Sequence, residues 1–301
     1  MADAWFVIVF TRGDAIYNHV PSYSIPLVVD LVLAAILTIG LFAFAGTLND
    51  LLDLRHDSAF RPDRPLPSGR IRSSQAVVIV VGSLLAAIAA MIPFGSAALV
   101  FGVLAATGIL FYDAMGKYLP ALGVIVAGLI HGAHMMIPNP ELAFTAPVWL
   151  VFTHVVVIGL VVHVVERKRP KATGTSVGLT IGAWIVCSII ILGLAARGGL
   201  GSGFVPTDLD FDTLIWPAAA VVLFIAVARR KVSGQPRPIG AEKLRRYGSM
   251  WHAVYAAAWF AGLGRWTEAG MFFGIAILGL VVMTVLREIS VDDPGLVGYR
   301  A

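Results

Sequence analysis

The most chemically informative residues of this chain are four polar side chains at the end of an apolar run. They form the motif Asn49-Asp50-x-x-Asp53-x-x-x-Asp57. Because residues four apart share a helix face, Asn49, Asp53 and Asp57 are expected to point the same way, with Asp50 on their flank. Three carboxylates so close together repel one another, so a cation must balance them. Hard oxygen ligands at this spacing predict Mg²⁺, which usually shares its coordination shell with phosphate oxygens.

A basic, proline-rich segment follows this motif directly. Prolines at 62, 65 and 67 stiffen the segment, because each fixes its own backbone φ angle. Arginine side chains bind phosphate oxygens in bidentate fashion, so Arg61, Arg64 and Arg70 are predicted to bind a phosphorylated substrate. The simpler alternative is a solvated loop whose positive charge only sets the orientation of the chain in a membrane.

The two segments together resemble the first signature of the UbiA superfamily of intramembrane aromatic prenyltransferases. The resemblance lies in the acidic motif followed by Arg61-Pro62-x-Arg64-Pro65-x-Pro67-Ser68-Gly69-Arg70-Ile71. It implies a bundle of mostly nine helices with a lateral opening to lipid, in which Mg²⁺ holds a prenyl diphosphate while an acceptor ring is alkylated. By position, it implies that the catalytic residues are Asn49, Asp50, Asp53 and Asp57, and that the three aspartates bind the metal.

One departure from the family pattern lies after the sixth apolar run. Family members usually carry a second Asp-rich stretch there, whereas this chain reads His163-Val164-Val165-Glu166-Arg167-Lys168-Arg169-Pro170-Lys171. Glu166 is the only acid in that stretch, and His163 lies one helical turn before it. The resemblance assigns His163, Glu166 and Lys168 to substrate binding, with the basic side chain as a counter-charge for diphosphate. Orientation of the chain in the membrane explains the same basic residues equally well.

A third polar group ends the fourth apolar run, in the sequence Tyr112-Asp113-Ala114-Met115-Gly116-Lys117. The family often has a tyrosine and a basic residue at this edge, which implies diphosphate binding by Tyr112 and Lys117. Asp113 is a candidate replacement for the missing second set of acids. The same form resembles the EboC-like subgroup of UbiA-like proteins, in which the second acidic motif is also degraded.

The elements that must position these residues are membrane helices. The chain has 301 residues, of which 58% are hydrophobic and 13% are charged, against roughly 25% charged in a soluble domain. This composition predicts an all-α, polytopic transmembrane bundle of nine to ten spans, forming one UbiA-like domain over residues 1–301. Apolar runs predict spans at 4–20, 25–47, 74–93, 96–113, 119–138, 146–165, 175–196, 213–229, 249–264 and 267–286.

The charge distribution predicts the orientation of the bundle. If the spans alternate across the bilayer, 19 of the 22 Lys and Arg residues fall on one side, which the positive-inside rule makes cytoplasmic. Both termini are then cytoplasmic, in an inner cell membrane, and the functional loops lie near 48–73, 113–118, 166–174 and 229–248. The basic excess therefore predicts orientation and no nucleic-acid partner. No removable signal peptide is predicted, and either the first helix lines a polar cavity or the true start lies upstream of Met1.

Several ionisable residues fall inside predicted spans, where such groups often mark functional sites. His131 and His134 are one helical turn apart, and His154 lies on the next span. A zinc site needs further ligands at the same depth, which periodicity does not reveal. Hydrogen-bonded packing is therefore the favoured interpretation of these histidines, and packing is likewise favoured for the aromatic cluster that contains Trp251 and His252.

These features predict a Mg²⁺-dependent prenyltransferase whose partners are a prenyl diphosphate, an unidentified acceptor and membrane lipid. Two alternatives remain. A non-catalytic UbiA-fold protein would bind or transport an isoprenoid, which the missing second acidic stretch favours. An intramembrane terpene cyclase would use an internal alkene as the nucleophile. An ion-coupled transporter is disfavoured, because its carboxylates would lie near the bilayer midplane rather than at one rim. The single cysteine, Cys187, excludes an intrachain disulfide.

Overall fold

The computed structural model describes residues 1–167, 170–197 and 211–292, with side chains described in these ranges except at 194–197, 211 and 287–292. Lys168 lies outside the described residues. All elements within these ranges are helices. The α-helices are α1 (Ala2–Arg12), α2 (Pro21–Ser24), α3 (Leu27–Leu52), α4 (Leu54–Phe60), α5 (Ser73–Met91), α6 (Ser96–Ala114), α7 (Pro120–Met136), α8 (Ala146–Glu166), α9 (Gly174–Arg197), α10 (Ile215–Val232), α11 (Arg237–Gly262) and α12 (Trp266–Asp292). Short 3₁₀ helices cover Ala15–Tyr17, Ile92–Phe94, Gly116–Tyr118 and Phe211–Leu214.

Seven of the described helices are long and apolar enough to cross a membrane. They are Leu27–Leu52, Ser73–Phe94, Ser96–Ala114, Ala146–Glu166, Gly174–Gly193, Asp212–Val232 and Trp266–Leu286, while Pro120–Met136 is apolar but shorter. Their outward faces expose large apolar side chains such as Phe42, which suits contact with lipid tails rather than water. The exact count of nine to ten spans stays a prediction.

Helix α11 lies at the centre of the bundle, and 14 of its 26 residues are buried. Its second half packs against α1, α8, α10 and α12. The Phe260 ring lies 5.0 Å from the Phe6 ring of α1 and 5.5 Å from the Phe272 ring of α12, measured between centroids. A second core joins α3, α5 and α6 around Leu37, Phe44 and similar side chains.

Two predicted boundaries differ from the structure. The first span was predicted to reach residue 20, but α1 ends at Arg12, where Arg12 Nη2 lies 3.6 Å from Asp30 Oδ2. The chain turns there because a charged pair replaces an apolar run. The link predicted at 229–248 is mostly helical, since α10 runs to Val232 and α11 begins at Arg237. Polar helical turns continue beyond the apolar spans, and hydropathy alone does not detect them.

The α3–α5 hairpin, which carries the acidic motif at one end, depends on a close helix approach at Gly40. A Cβ atom at this position would lie 2.7 Å from the backbone oxygen of Ser83 and 3.0 Å from Cβ of Ala87. Small residues permit such approaches between membrane helices, and a larger one would force the backbones apart. Gly46, two turns later on the same helix, has open space at the corresponding position.

We expect Gly40→Ala to destabilise the protein and Gly46→Ala to have little effect. The added methyl at position 40 meets backbone atoms that cannot rotate away, an overpacking that typically costs about 1–3 kcal/mol. Thermal unfolding of the two variants in the same detergent measures the difference. Equal melting temperatures would contradict the assigned α3–α5 contact.

Candidate active site at the α3–α4 junction

The four residues of the acidic motif lie at the junction of α3 and α4 and are called the acidic site below. Helix α3 ends at Leu52, and Asp53 joins it to α4 with φ −88° and ψ 2°. Backbone hydrogen bonds between residues four apart continue through the junction, since Asp53 N–H donates to Asn49 O at 2.9 Å and Asp57 N–H donates to Asp53 O at 2.8 Å. The predicted helical spacing of the acidic site is therefore nearly preserved.

Two cationic side chains contact the acidic site, and each contacts two of its four residues. Lys117 Nζ donates to Asp53 Oδ1 at 2.6 Å and to Asn49 Oδ1 at 3.0 Å. Arg64 Nη1 donates to Asp57 Oδ2 at 2.5 Å and lies 3.4 Å from Asp50 Oδ1. Each cation thus binds one pair of motif residues, and the repulsion expected from the sequence is balanced from two separate segments.

Lys117 reaches the acidic site because of the turn that carries it. The 3₁₀ helix Gly116–Tyr118 packs tightly on the first turns of α7, where a Cβ at Gly123 would lie 2.4 Å from the Gly116 carbonyl oxygen. The next residue, Tyr118, places its hydroxyl 3.4 Å from Asp53 Oδ1. A glycine on α7 therefore helps to set the distance between Lys117 and the carboxylates.

Asp113 lies on the last turn of α6 and is a buried carboxylate without a complete set of partners. Its Oδ2 atom is buried and makes no hydrogen bond within the described residues. Its electrostatic neighbours are Lys117, Asp53 and Asp50. A buried carboxylate oxygen without a donor is costly unless a cation or a ligand satisfies it, so this atom is a candidate for contact with a cation bound at the acidic site.

The proline-rich segment uses its arginines in different ways. Arg64 enters the acidic site, as described above. Arg70 holds the segment itself, because its Nε donates to Ser68 Oγ at 3.1 Å and its Nη2 contacts the Asp63 carbonyl oxygen. Arg61 is exposed at the segment's start. The structure therefore brings one of the three predicted arginines into direct contact with the carboxylates.

The second predicted substrate segment lies beside a cavity of about 300 Å³, called the polar cavity below. Glu166 Oε1 accepts from Arg245 Nη1 at 2.5 Å, and His163 Nε2 lies 2.8 Å from the Pro170 carbonyl oxygen. Tyr112, His163 and Arg245 line this cavity. The side chains at its deeper end include His131, His154 and His252.

A second cavity, of about 790 Å³, is almost wholly apolar and is called the apolar cavity below. It follows the faces of α6 and α7 from Phe111 to the link at 140–145, with Ile190 of α9 on its far side. The Phe111 ring lies 3.5 Å from the point that a Cβ of Gly116 would occupy, so this end is next to the turn that carries Lys117. The cavity therefore begins beside the acidic site.

Arg245 was not singled out by sequence reasoning, and His252 was named only within an aromatic cluster that was assigned to packing. Arg245 and His252 both belong to α11 and line the polar cavity together with Gly248 and Ser249. A sequence signal did exist, because positions 245, 248, 249 and 252 follow the spacing of one helix face. It was missed because part of this helix was taken for a link and the rest for packing.

Comparisons with known proteins agree with this architecture. A model of the UbiA prenyltransferase family matches residues 20–238. A digeranylgeranylglyceryl phosphate synthase of Saccharolobus solfataricus is 24% identical over 72% of this chain and 79% of the relative. One of Methanosarcina barkeri is 30% identical over 40% of this chain and 42% of the relative. A solved structure from work on digeranylgeranylglyceryl phosphate synthase in membranes covers 87% of this chain and 92% of its own, with a TM-score of 0.54 and 18% identity.

The structural likeness and the apolar helices confirm the predicted UbiA-like helical fold of a multi-pass membrane protein. The low identity of the solved structure makes it evidence for the fold alone. The roles of the individual residues in the acidic site and the polar cavity stay predictions.

We expect Lys117→Met to lower the thermal stability of the protein, since the partly buried Asp53 carboxylate then loses its cationic partner and keeps only the Tyr118 hydroxyl, at 3.4 Å. Loss of such a partner typically costs about 1–3 kcal/mol. Lys171→Met is the matched control, because Lys171 is exposed beside the second segment. Melting temperatures in detergent measure the effect, and an equal change in both variants would show that Lys117 does not balance the acidic site.

Proposed function

The chain belongs to the UbiA prenyltransferase family, and we propose that it transfers a prenyl group from a prenyl diphosphate bound at the acidic site to an acceptor in the polar cavity. The proposal rests on the arrangement of residues at the end of α6. Three consecutive residues there face three compartments: Phe111 lines the apolar cavity, Tyr112 lines the polar cavity, and Asp113 lies beside the acidic site. A prenyl chain, an acceptor and a diphosphate would meet at this point.

The acidic site fits Mg²⁺ by the chemistry of its donors. Asp50, Asp53 and Asp57 supply carboxylate oxygens, Asn49 supplies a carboxamide oxygen, and the unpartnered Oδ2 of Asp113 is close by. Hard oxygen ligands of this kind suit Mg²⁺. When bound, Mg²⁺ would neutralise the diphosphate and favour its departure. The family supports a divalent metal in general, while the Mg²⁺ dependence of this chain is part of the proposal.

Lys117 and Arg64 would change partners when substrate binds. In the described state they neutralise the motif, through contacts of 2.6 Å to Asp53 and 2.5 Å to Asp57. Once a metal balances the carboxylates, both cationic groups are free to donate to phosphate oxygens. They would then stabilise the negative charge that develops on the departing diphosphate, which is the largest contribution expected for this kind of reaction.

The apolar cavity would hold the prenyl chain. Its lining provides hydrocarbon contacts along α6 and α7, and its end at Phe111 lies close to the acidic site. Burial of the chain there excludes water from the reacting carbon, which protects its cationic character until the acceptor attacks. In the transfer step a bond forms between the acceptor and C1 of the prenyl group as the C1–O bond breaks. The bonding electrons leave with diphosphate, and the acceptor loses a proton.

The acceptor would enter the polar cavity past Tyr112, His163 and Arg245. An aromatic acceptor is our first candidate, because a cavity of about 300 Å³ with polar and aromatic walls accommodates a compact ring. A prenylated glyceryl phosphate is the second candidate, since the relatives are named for digeranylgeranylglyceryl phosphate. Its phosphate would bind Arg245, and Arg245 would then release Glu166.

We place the acidic site at the cytoplasmic face, in accordance with the positive-inside rule. The clustering of the basic links supports this orientation. Lys117 contacts α3, and Arg245 at the start of α11 contacts Glu166 at the end of α8, so these links share one end of the bundle. The same orientation would place the end of α12 on the cytoplasmic side, whereas the Met1 amino group lies against Asp3 within the bundle.

Purified protein in lipid nanodiscs should release diphosphate from prenyl diphosphates only when both Mg²⁺ and an acceptor are present. We expect Asp53→Asn to reduce turnover by about 10²–10³, the typical cost of losing one stabilising interaction of the transition state. Asp63→Asn is the matched control, since Asp63 is exposed in the neighbouring segment and contacts Arg70 through its backbone oxygen. Radiolabelled prenyl diphosphates of several lengths, with aromatic and glyceryl phosphate acceptors, provide the assay.

The products of this assay separate the alternatives. A protein that only binds isoprenoids would retain prenyl diphosphate without releasing diphosphate, whatever acceptor is added. A cyclase would release diphosphate and form a cyclic hydrocarbon in the absence of an acceptor. Equal activity of the Asp53→Asn and Asp63→Asn variants would refute the assignment of the acidic site.

We expect Ala133→Phe to shift substrate preference towards shorter prenyl diphosphates, because Ala133 lines the apolar cavity and a phenyl ring would fill part of its length. Ala127→Phe, less than two turns away on the same helix, projects into the polar cavity instead. This control should weaken acceptor binding while leaving the preferred prenyl length unchanged. Comparison of kcat/KM across prenyl lengths measures both effects, and identical profiles would overturn the assignment of the two cavities.

A further inference from the structure

Three ionisable side chains from three helices meet at the inner end of the polar cavity. Asp3 of α1, His131 of α7 and His252 of α11 each offer one ligand atom, and these atoms all lie within 4.8 Å of one another. Asp3 and His252 are buried, and His131 is partly buried. Buried ionisable groups in a membrane bundle are expensive unless something compensates them.

The two histidines of this cluster are not explained by hydrogen-bonded packing. The rings of His131 and His252 meet edge to face at 5.4 Å between centroids, and neither makes a hydrogen bond within the described part of the chain. His154 provides the contrast in the same cavity, with Nε2 3.0 Å from the Gly248 carbonyl oxygen and Nδ1 3.0 Å from the Tyr255 hydroxyl. Hydrogen bonds therefore hold His154, whereas His252 has ring contacts, including an edge contact to His154 at 5.6 Å, and its nitrogens are not used in a hydrogen bond among the described residues.

We propose that Asp3, His131 and His252 bind a divalent transition metal ion of the Zn²⁺ class, separate from the acidic site. Two imidazole nitrogens and one carboxylate oxygen form a ligand set that is common for Zn²⁺ in catalytic sites. In a tetrahedral site with Zn–ligand distances of about 2.0–2.2 Å, the ligand atoms lie roughly 3.3 Å from one another. The observed atoms lie up to 4.8 Å apart, so metal binding would require rotation of these side chains towards the ion.

The carboxylate of this cluster is held in place by its neighbours. Asp3 Oδ1 accepts from Ala4 N–H and from the Met1 amino group, both at 3.0 Å, while Oδ2 lies 3.3 Å from His134 Nδ1. The other ring nitrogen of His134 lies 2.9 Å from Thr38 Oγ1. A carboxylate has about four lone-pair positions, so a metal bond remains available beside these contacts. Outer contacts of this kind orient metal ligands and affect metal affinity.

The site is open on one side. His131 and His252 both line the polar cavity, which also contains Tyr112 and Arg245. Three protein ligands leave a fourth position, which would face this cavity and accept water or an oxygen of a bound molecule. The cluster would therefore bind an ion from the cytoplasmic end of the bundle and join α1, α7 and α11 around it.

Titration of the purified full chain with Zn²⁺, after removal of metals with a chelator, tests the site directly. We expect one equivalent of Zn²⁺ per chain and a higher melting temperature of the loaded protein. The acidic site is a competing location, so the titration is repeated with Asp50→Asn plus Asp53→Asn in excess Mg²⁺. Binding that persists in this variant belongs to the histidine-containing site, and this readout does not depend on prenyltransferase activity.

Variants at single positions identify the ligands. His131→Gln and His252→Gln should each abolish stoichiometric Zn²⁺ binding, and His134→Ala should weaken it about 10–100-fold through loss of the outer contact. His154→Gln is the matched control, because His154 lies in the same cavity outside the cluster. Gel filtration of each metal-free variant checks folding independently of the metal.

Co²⁺ provides a spectroscopic measurement of the coordination. Tetrahedral coordination with nitrogen ligands gives a strong visible absorption, whereas oxygen-only coordination at the acidic site gives a weak one. We expect the strong absorption in the wild-type protein and in His154→Gln, and its loss in His131→Gln and His252→Gln. Absence of stoichiometric binding in the wild-type protein, or equal binding by the His131→Gln and His154→Gln variants, would overturn the proposal.

Discussion

Electrostatic balance of the carboxylates at the end of α3 is the interaction on which the rest of this structure depends. Like charges one helical turn apart repel one another, and partial burial strengthens this repulsion. The cations that balance it come from two separate segments, Lys117 after α6 and Arg64 after α4. These two ion pairs also link the turn before α7 and the proline-rich segment to the end of α3. A metal ion that takes the place of these cations would have to neutralise the same carboxylates.

The end of α6 separates apolar from polar chemistry within a single helical turn. Phe111 faces a wide hydrocarbon-lined cavity, while Tyr112 faces a smaller cavity with charged and hydrogen-bonding side chains. Successive residues of a helix point about 100° apart, so neighbouring positions serve different compartments. In the proposed function, this arrangement would keep a prenyl chain away from water and bring its reactive end to the acidic site.

Polar groups inside the bundle fall into two classes. The first class has partners, as His154 does between Gly248 and Tyr255. Asp30 is satisfied in part: its Oδ2 accepts from Ser22 at 2.6 Å, while its Oδ1 has no hydrogen-bond partner among the described residues. Such contacts offset the cost of burial and hold helices together. Asp113 at the acidic site, and His131 and His252 at the end of the polar cavity, form the second class, because their hydrogen-bonding capacity is incompletely used. Asp113 lies at the acidic site and the two histidines line the polar cavity, so these three groups lie where the proposed ligands would enter.

The sequence by itself determined the helical membrane architecture, the spacing of the acidic motif and the basic residues expected near it. These features depend on local periodicity, which the amino-acid order states directly. The span boundaries near Arg12 and in the 229–248 region were predicted less well, because helices extend or turn where polar contacts replace hydrophobic burial. Only the tertiary structure decided that Lys117 binds Asp53, that Arg245 binds Glu166, and that Asp3, His131 and His252 meet. These contacts join residues far apart in the chain, and helix packing sets their distances.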